Sequence, residues 1–362
     1  MSLDILLKPW TSISARFSVL SQYASQLLVR KVLLGFQLKV VRMTSRVSRT
    51  KAALSLSVAA VLSFASLTQA IPASGVRTQR DTDAIDNSTT PLTQSQIDSF
   101  TPYTWYAAAV GCNPNATLTW TCGPRCDANP DFQPVATGGD GIVTQFWFVG
   151  FDPKLNTVVV SHQATDPSKV IPVLTDLDFI PVPVDPSLFP GLPNDILVHM
   201  GFAGTQGRSA PGVLEAVETA LTKFGTTHVT IVGASLGAAI ALLDSVYLPL
   251  HLPNSTTFST IVYGLPRVGN QAFADYVDAH ATSLTHINNK KDPVPTLPPD
   301  FLGFRHPSGE VHIEEDGSWI ACAGQENPSP LCEKGLVPSY FAGNNSDHEG
   351  PYGGVLLDAC DA

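Results

Sequence analysis

Serine 235 lies in "HVTIVGASLGAAIA", where a β-branched run over 228–232 passes into Gly233-Ala234-Ser235-Leu236-Gly237 and then into helix-favouring residues. A G-x-S-x-G pentapeptide between a strand and a helix forms a sharp elbow that lifts the serine hydroxyl above a sheet. Glycines are needed at 233 and 237 because a side chain at either place would meet the neighbouring strand or helix. The same turn directs the Leu236 N–H toward a developing oxyanion and sets Ser235 at a helix N-terminus.

A serine hydroxyl is a weak nucleophile, so a base must take its proton and an acid must orient that base. On an elbow of this kind the acid and then the histidine follow the serine along the chain. That order leaves His306, His312 and His348 as bases. His312 alternates within a strand and His306 sits just before it, which suits structural roles. His348, in the polar Gly-rich "NNSDHEGPYGG", sits where a loop can carry a base to the edge of a sheet. For the acid, Asp292 in "HINNKKDPVPTLPP" follows a predicted strand and is held by Pro293; Asp347, adjacent to His348, is the rival. A second oxyanion donor is expected in the loop after an earlier strand, where "TVVVSHQATDPSK" offers Thr165.

Elements that could position these groups are legible from about residue 100 onward. Strands are expected at 143–151, 156–161, 228–232, 258–264 and 284–288, with a hairpin over 309–319 turning at Asp316-Gly317. Helices are expected over "PGVLEAVETALTKFG", with Pro211 in its first turn and Gly225 as its stop, over 236–246 and over 270–280. Strand–helix alternation of this kind predicts a doubly wound α/β fold, a mostly parallel sheet with helices on both faces. The Pro-rich stretch 180–195 reads as surface loop.

The chain carries 21 Lys and Arg against 31 Asp and Glu, a net charge of −10. Nine of those bases and one acid fall within residues 1–51, so the remainder holds 12 against 30, a net −18. That body is a poor partner for nucleic acid or anionic headgroups and suits a neutral substrate. Residues 43–70 read as a secretory signal: a basic start, the apolar "AALSLSVAAVLSFASL", and "TQA" as a cleavage site. Residues 1–42, basic, Ser-rich and acid-poor as organelle transit peptides are, read as an N-terminal extension ahead of the signal's own Met43, 71–99 as an N-terminal segment, and 100–362 as the single catalytic domain. No transmembrane span is expected in the mature chain. Secretion also suits the sequons at Asn87, Asn115, Asn254 and Asn344.

Six cysteines, an even number, suit disulfides in an exported protein, and six allow fifteen pairings. The close pairs Cys122/Cys126 and Cys322/Cys332 could each clip a local loop, leaving Cys112 to tie the beginning of the domain to Cys360. No CxxC pair or nearby histidine completes a tetrahedral zinc set, and a serine–histidine–acid mechanism needs neither a metal nor an organic cofactor.

From Tyr103 to the C-terminus the chain resembles the secreted class 3 triacylglycerol lipases of filamentous fungi, with the related feruloyl esterases. The resemblance is carried by "YAAAVGC", "VVVSHQAT", "LVHMGF", "VTIVGASLGAAIA", "YGLPRVGN", "HINNKKDPVPTLPP" and "HPSGEVHI". It implies an α/β-hydrolase fold and a lipid ester substrate, met in transient contact with a lipid interface. It also implies a Ser235–Asp292–His348 triad, Thr165 and Leu236 as oxyanion donors, and disulfides Cys112–Cys360, Cys122–Cys126 and Cys322–Cys332. Arg267 in "PRVGN" reads as structural. The chain departs from the family at Ala234, where many relatives have histidine, and at "SHQAT", where relatives usually read "SFRGT". Residues 166–179 correspond to the family's lid; Pro172 breaks a long helix there and predicts a short or irregular one. The alternatives are a feruloyl or short-chain esterase and a catalytically silent binding protein of the same fold.

Overall fold

In a computed structural model of the chain, the residues described are 88–165, 179–281 and 283–360. The N-terminal extension, the signal, Asn87 and all but the last residue of the lid segment lie outside them. Among the described residues, thirteen strands alternate with helices. The strands are β1 (Thr89–Pro91), β2 (Gln133–Gly138), β3 (Trp147–Asp152), β4 (Thr157–His162), β5 (Pro181–Pro183), β6 (Leu197–His199) and β7 (His228–Ala234). They continue with β8 (Thr257–Tyr263), β9 (Gly269–Asn270), β10 (Leu284–Asn289), β11 (Phe304–Arg305), β12 (Glu310–Ile313) and β13 (Trp319–Cys322). The helices are α1 (Gln94–Ala109), α2 (Pro114–Thr119), α3 (Pro124–Asp127), α4 (Met200–Phe224), α5 (Leu236–His251), α6 (Gln271–His280) and α7 (Glu333–Leu336).

Nine strands form one sheet in the order β1-β13-β12-β10-β8-β7-β4-β3-β2. Its centre, β4-β7-β8-β10-β12, is parallel, and the flanking pairs are antiparallel. Both faces are covered, which is why the central strands read as unbroken apolar runs. The period of two distributes their side chains: Val158, Val160, Val229 and Ile231 pack with α4, α5 and α6. Val159, Val232 and Ala234 pack on the opposite face with α1 and an aromatic group of Tyr106, Phe132 and Phe148. A small second sheet, β11-β9-β6-β5, lies outside the main one. This is the doubly wound arrangement expected.

Several local expectations need correction. The helix thought to begin at Pro211 begins at Met200, and Pro211 lies inside it. "MGFAGTQGRSA" is poor in helix formers, but burial of Phe202, Gln206, Ser209 and Ala210 outweighs that propensity. Strand β3 starts at Trp147 rather than 143, because the Asp140 carboxylate accepts the N–H groups of Ile142, Val143 and Thr144 and folds them into a turn. Nor is 180–195 all surface loop: Pro181–Pro183 pairs with β6, and Phe189 and Val184 are buried. Strand β2 and helix α1 lay outside the elements expected, since neither carries a clear apolar period.

Disulfides join Cys112 to Cys360, Cys122 to Cys126 and Cys322 to Cys332. The first ties the turn after α1 to the chain's end, 248 residues away.

Candidate active site

Ser235 sits between β7 and α5 with φ 53° and ψ −122°, in the left-handed region that disfavours side chains. Its neighbours enforce this. A Cβ on Gly233 would come within 2.2 Å of the Gly237 carbonyl oxygen, and one on Gly237 within 2.2 Å of the His162 carbonyl oxygen. The elbow is therefore closed against itself on one side and against the end of β4 on the other. The Ser235 N–H donates to the Tyr263 carbonyl at 2.9 Å, and the Ser235 hydroxyl is buried with no hydrogen-bond partner among the described residues.

Asp292 lies three residues beyond β10 and is fully buried. Its Oδ1 accepts the Val294 N–H at 2.8 Å, and its Oδ2 is 2.7 Å from Nδ1 of His348. His348 is carried on a 3₁₀ turn, Asn345–Glu349, and its carbonyl accepts the Tyr352 hydroxyl. An Nδ1–H directed at a carboxylate leaves Nε2 as the acceptor, the tautomer a general base requires.

Gly264, next to the Tyr263 carbonyl that holds Ser235, faces this pair. A Cβ there would lie 2.8 Å from Cε1 of His348 and 2.9 Å from Oδ2 of Asp292. The structure thus pairs Asp292 with His348 beside Gly264, and the preceding Tyr263 carbonyl holds the Ser235 N–H; among the described residues the Ser235 hydroxyl makes no hydrogen bond to the His348 imidazole.

The other candidates stand elsewhere. Asp347 turns its Oδ2 to the Lys291 N–H, and its carbonyl accepts from Asn289. His306 points Nε2 at the Pro295 carbonyl. His312 is fully buried, 3.9 Å from Glu310 and 3.7 Å from Glu333. Burial pushes both imidazoles down, His306 to about 3 and His312 to about 4, so they are neutral across physiological pH.

The Asp292 loop is clamped from outside the elbow. Arg267 donates to the Thr296 and Pro298 carbonyls and forms a two-pronged pair with Glu326 at 2.6 and 2.7 Å. Burial acts to raise the Glu326 carboxyl, but Arg267 and the backbone N–H of His306 hold it at about 2. Arg267 is structural, as read from sequence, and its role is to fix the segment that follows Asp292.

Thr165 lies at the end of the described β4 loop, buried, its hydroxyl without a partner among the described residues. This loop is tied to residue 146 twice: Gln163 N–H donates to the Phe146 carbonyl, and the Phe146 N–H donates to Gln163 Oε1. Leu236 is the first residue of α5, so its N–H has no intrahelical acceptor. Asn115, Asn254 and Asn344 are all exposed, and Asn344 caps the turn that carries His348.

Between the segment after Asp292 and the segment before His348 lies a largely apolar cavity of about 430 Å³. Phe179, Leu297, Phe301, Tyr340 and Phe341 line it. Phe301 and Phe341 are 82% and 94% exposed. Sequence reasoning passed over this cavity and Gly264, because both arise only when distant segments meet.

A family pattern described as Lipase (class 3) matches residues 159–302, a stretch holding Ser235 and Asp292 but ending before His348. A secreted mono- and diacylglycerol lipase of Malassezia globosa is 35% identical over 219 residues, 60% of this chain and 70% of that protein. A secreted mono- and diacylglycerol lipase of Malassezia restricta is 31% identical over 205 residues, 56% of this chain; the chain spans 63% of that relative's length. Among solved structures, a triacylglycerol lipase described as having a serine-protease triad at its catalytic centre superposes with a TM-score of 0.65 at 26% identity. That match covers 76% of this chain and all of the other.

Proposed function

The chain belongs to the class 3 lipases, and from that membership together with the site geometry we propose that it is a secreted serine ester hydrolase acting on acylglycerols, as a triacylglycerol lipase. The observation that carries this reading is the 2.7 Å bond from His348 to the buried Asp292, beside the elbow that presents Ser235.

In the proposed reaction, Ser235 Oγ attacks the ester carbonyl while Nε2 of His348 takes its proton. Asp292 keeps the imidazole in the right tautomer and stabilises the imidazolium. The N–H of Leu236 and the N–H and hydroxyl of Thr165 stabilise the tetrahedral oxyanion; removing one such donor costs about 10²–10³-fold in rate. His348 then protonates the departing alcohol, and water, activated by the same imidazole, releases the acyl group. None of these steps calls on a metal or organic cofactor.

Two features support an apolar acyl substrate. The cavity between the segments that follow Asp292 and precede His348 has mostly apolar walls, with Arg267, Asp300 and Lys334 also lining it, and its residues Phe301 and Phe341 are exposed to solvent, where they suit transient contact with a lipid surface. Secretion is supported by the names of the Malassezia relatives and by the signal read at 43–70. Among the described residues no helix is long and apolar enough to cross a membrane.

Hydrolysis of an emulsified long-chain triacylglycerol should be compared with that of a soluble aryl ester. The lipase reading predicts turnover of both. Turnover of the soluble ester alone would assign the chain to the feruloyl or short-chain esterases instead.

A further inference from the structure

Helix α5 is apolar almost throughout, yet Asp244 lies in its middle with no solvent exposure. A buried carboxylate is costly unless its oxygens are matched. Both are matched here. Oδ2 lies 2.7 Å from Nε2 of His162, and Oδ1 accepts from Nε2 of Gln206 at 2.8 Å. His162 and Gln206 are themselves fully buried, so three polar side chains from three different elements meet inside the core.

Their location gives the cluster a purpose. His162 is the last residue of β4, in register with Gly233 of β7, and Thr165 is three residues beyond it. Asp244 lies eight residues after Leu236 on α5, about 12 Å along the axis. One end of the hydrogen bond is therefore fixed to the strand that launches the Thr165 loop. The other is fixed to the helix whose start supplies the Leu236 N–H. The loop also lies directly on the elbow, since the His162 and Gln163 carbonyl oxygens leave no room for a Cβ on Gly237. Gln206 braces the carboxylate from α4 and prevents it from turning away from His162.

We infer that His162, Asp244 and Gln206 form a buried positioning network that sets the separation between the Thr165 loop and the N-terminus of α5, the two sides of the oxyanion site. The inference rests on the ester-hydrolase reading above. None of the three side chains touches substrate; they act through Thr165 and Leu236. Apolar contact could hold β4 against α5, but it is non-directional. A hydrogen bond between two fixed elements also sets register, which a pair of donors converging on one oxygen requires.

The test is steady-state hydrolysis of a soluble aryl ester by the whole chain, alongside thermal unfolding. Asp244→Leu removes both acceptors and should lower kcat by roughly 100-fold with KM within about threefold of the unaltered protein. Asp244→Asn keeps one carbonyl oxygen for Gln206, and its amide can meet Nε2 of His162 only if the imidazole proton moves to Nδ1, which is buried with no partner among the described residues; kcat should fall about tenfold, again with KM little changed. The graded loss in kcat at steady KM separates positioning from mere support of the fold. Should Asp244→Leu not fold, the Asn variant decides alone. Unchanged kcat in folded Asp244→Asn, or a loss carried by KM, overturns the inference and leaves the hydrolase reading intact. No turnover by the unaltered chain overturns both.

Discussion

At the residue scale, the site depends on one position where a side chain is absent. Gly264 lies against both His348 and Asp292 and has φ +55°, so an added methyl group meets the two groups that must stay in line. Gly264→Ala is expected to lower kcat by about 100-fold or more through displacement of the imidazole, with a stability loss of about 1–3 kcal/mol from the strained φ. Kinetics and a denaturant titration of the same variant measure the two effects separately. Ser235 was legible in the sequence because its requirements are local: a strand, two glycines and a helix within a dozen residues. Asp292 and His348 were legible as candidates by their order along the chain. Gly264 was not, because its partners lie 28 and 84 residues further on. The sequence departs from its family at His162, but it offered no reason to single out Asp244, and nothing local says that the two pair.

At the element scale, the segment after Asp292 keeps its shape by being held at its carbonyls. Arg267→Met removes the donors to Thr296 and Pro298 and leaves the largely buried Glu326 with only Lys334, 3.8 Å away, as a cation. A loss of about 3 kcal/mol is expected, in line with breaking a buried pair from one side. Because that loop carries Asp292, kcat should fall as well, measured well below the variant's midpoint. A variant as stable as the unaltered protein would show that the clamp is incidental. Element boundaries were less legible than element types. Apolar periodicity located the central strands and α5, but burial extended α4 backward through a glycine-rich stretch, and a single Asp140 carboxylate shortened β3.

For the molecule as a whole, acid should be the vulnerable side. His199, His286 and His312 are each pushed down to about 4, and His306 to about 3, in every case chiefly by burial. The unfolded chain takes up protons on these side chains below about pH 6.5, whereas the folded chain resists until about pH 4, so stability falls as pH drops through that interval. Glu310 has the opposite sign: burial raises it to about 7, so the folded form holds a proton that the unfolded form has lost, and its contribution fades as pH rises from about 4.5 to 7. Melting temperature should therefore decline from pH 6.5 to pH 4, and Glu310→Gln should raise it at pH 8 relative to pH 5. A flat profile between pH 4 and 6.5 would contradict the burial of four neutral imidazoles. The doubly wound architecture was readable from strand–helix alternation, because each parallel crossover needs a helix to cover the sheet. The closure of the domain by Cys112–Cys360 follows from tertiary approach across 248 residues, a distance over which spacing alone cannot choose among fifteen pairings.

The proposed chemistry stands on Ser235 acting as a nucleophile activated by His348. A serine-directed phosphonate ester, followed by intact-mass and peptide analysis, tests it most directly. One adduct per chain is expected, on Ser235, with no adduct on Ser235→Ala and strongly slowed labelling of His348→Ala. Absence of labelling in the unaltered protein, or equal labelling of Ser235→Ala, would contradict it.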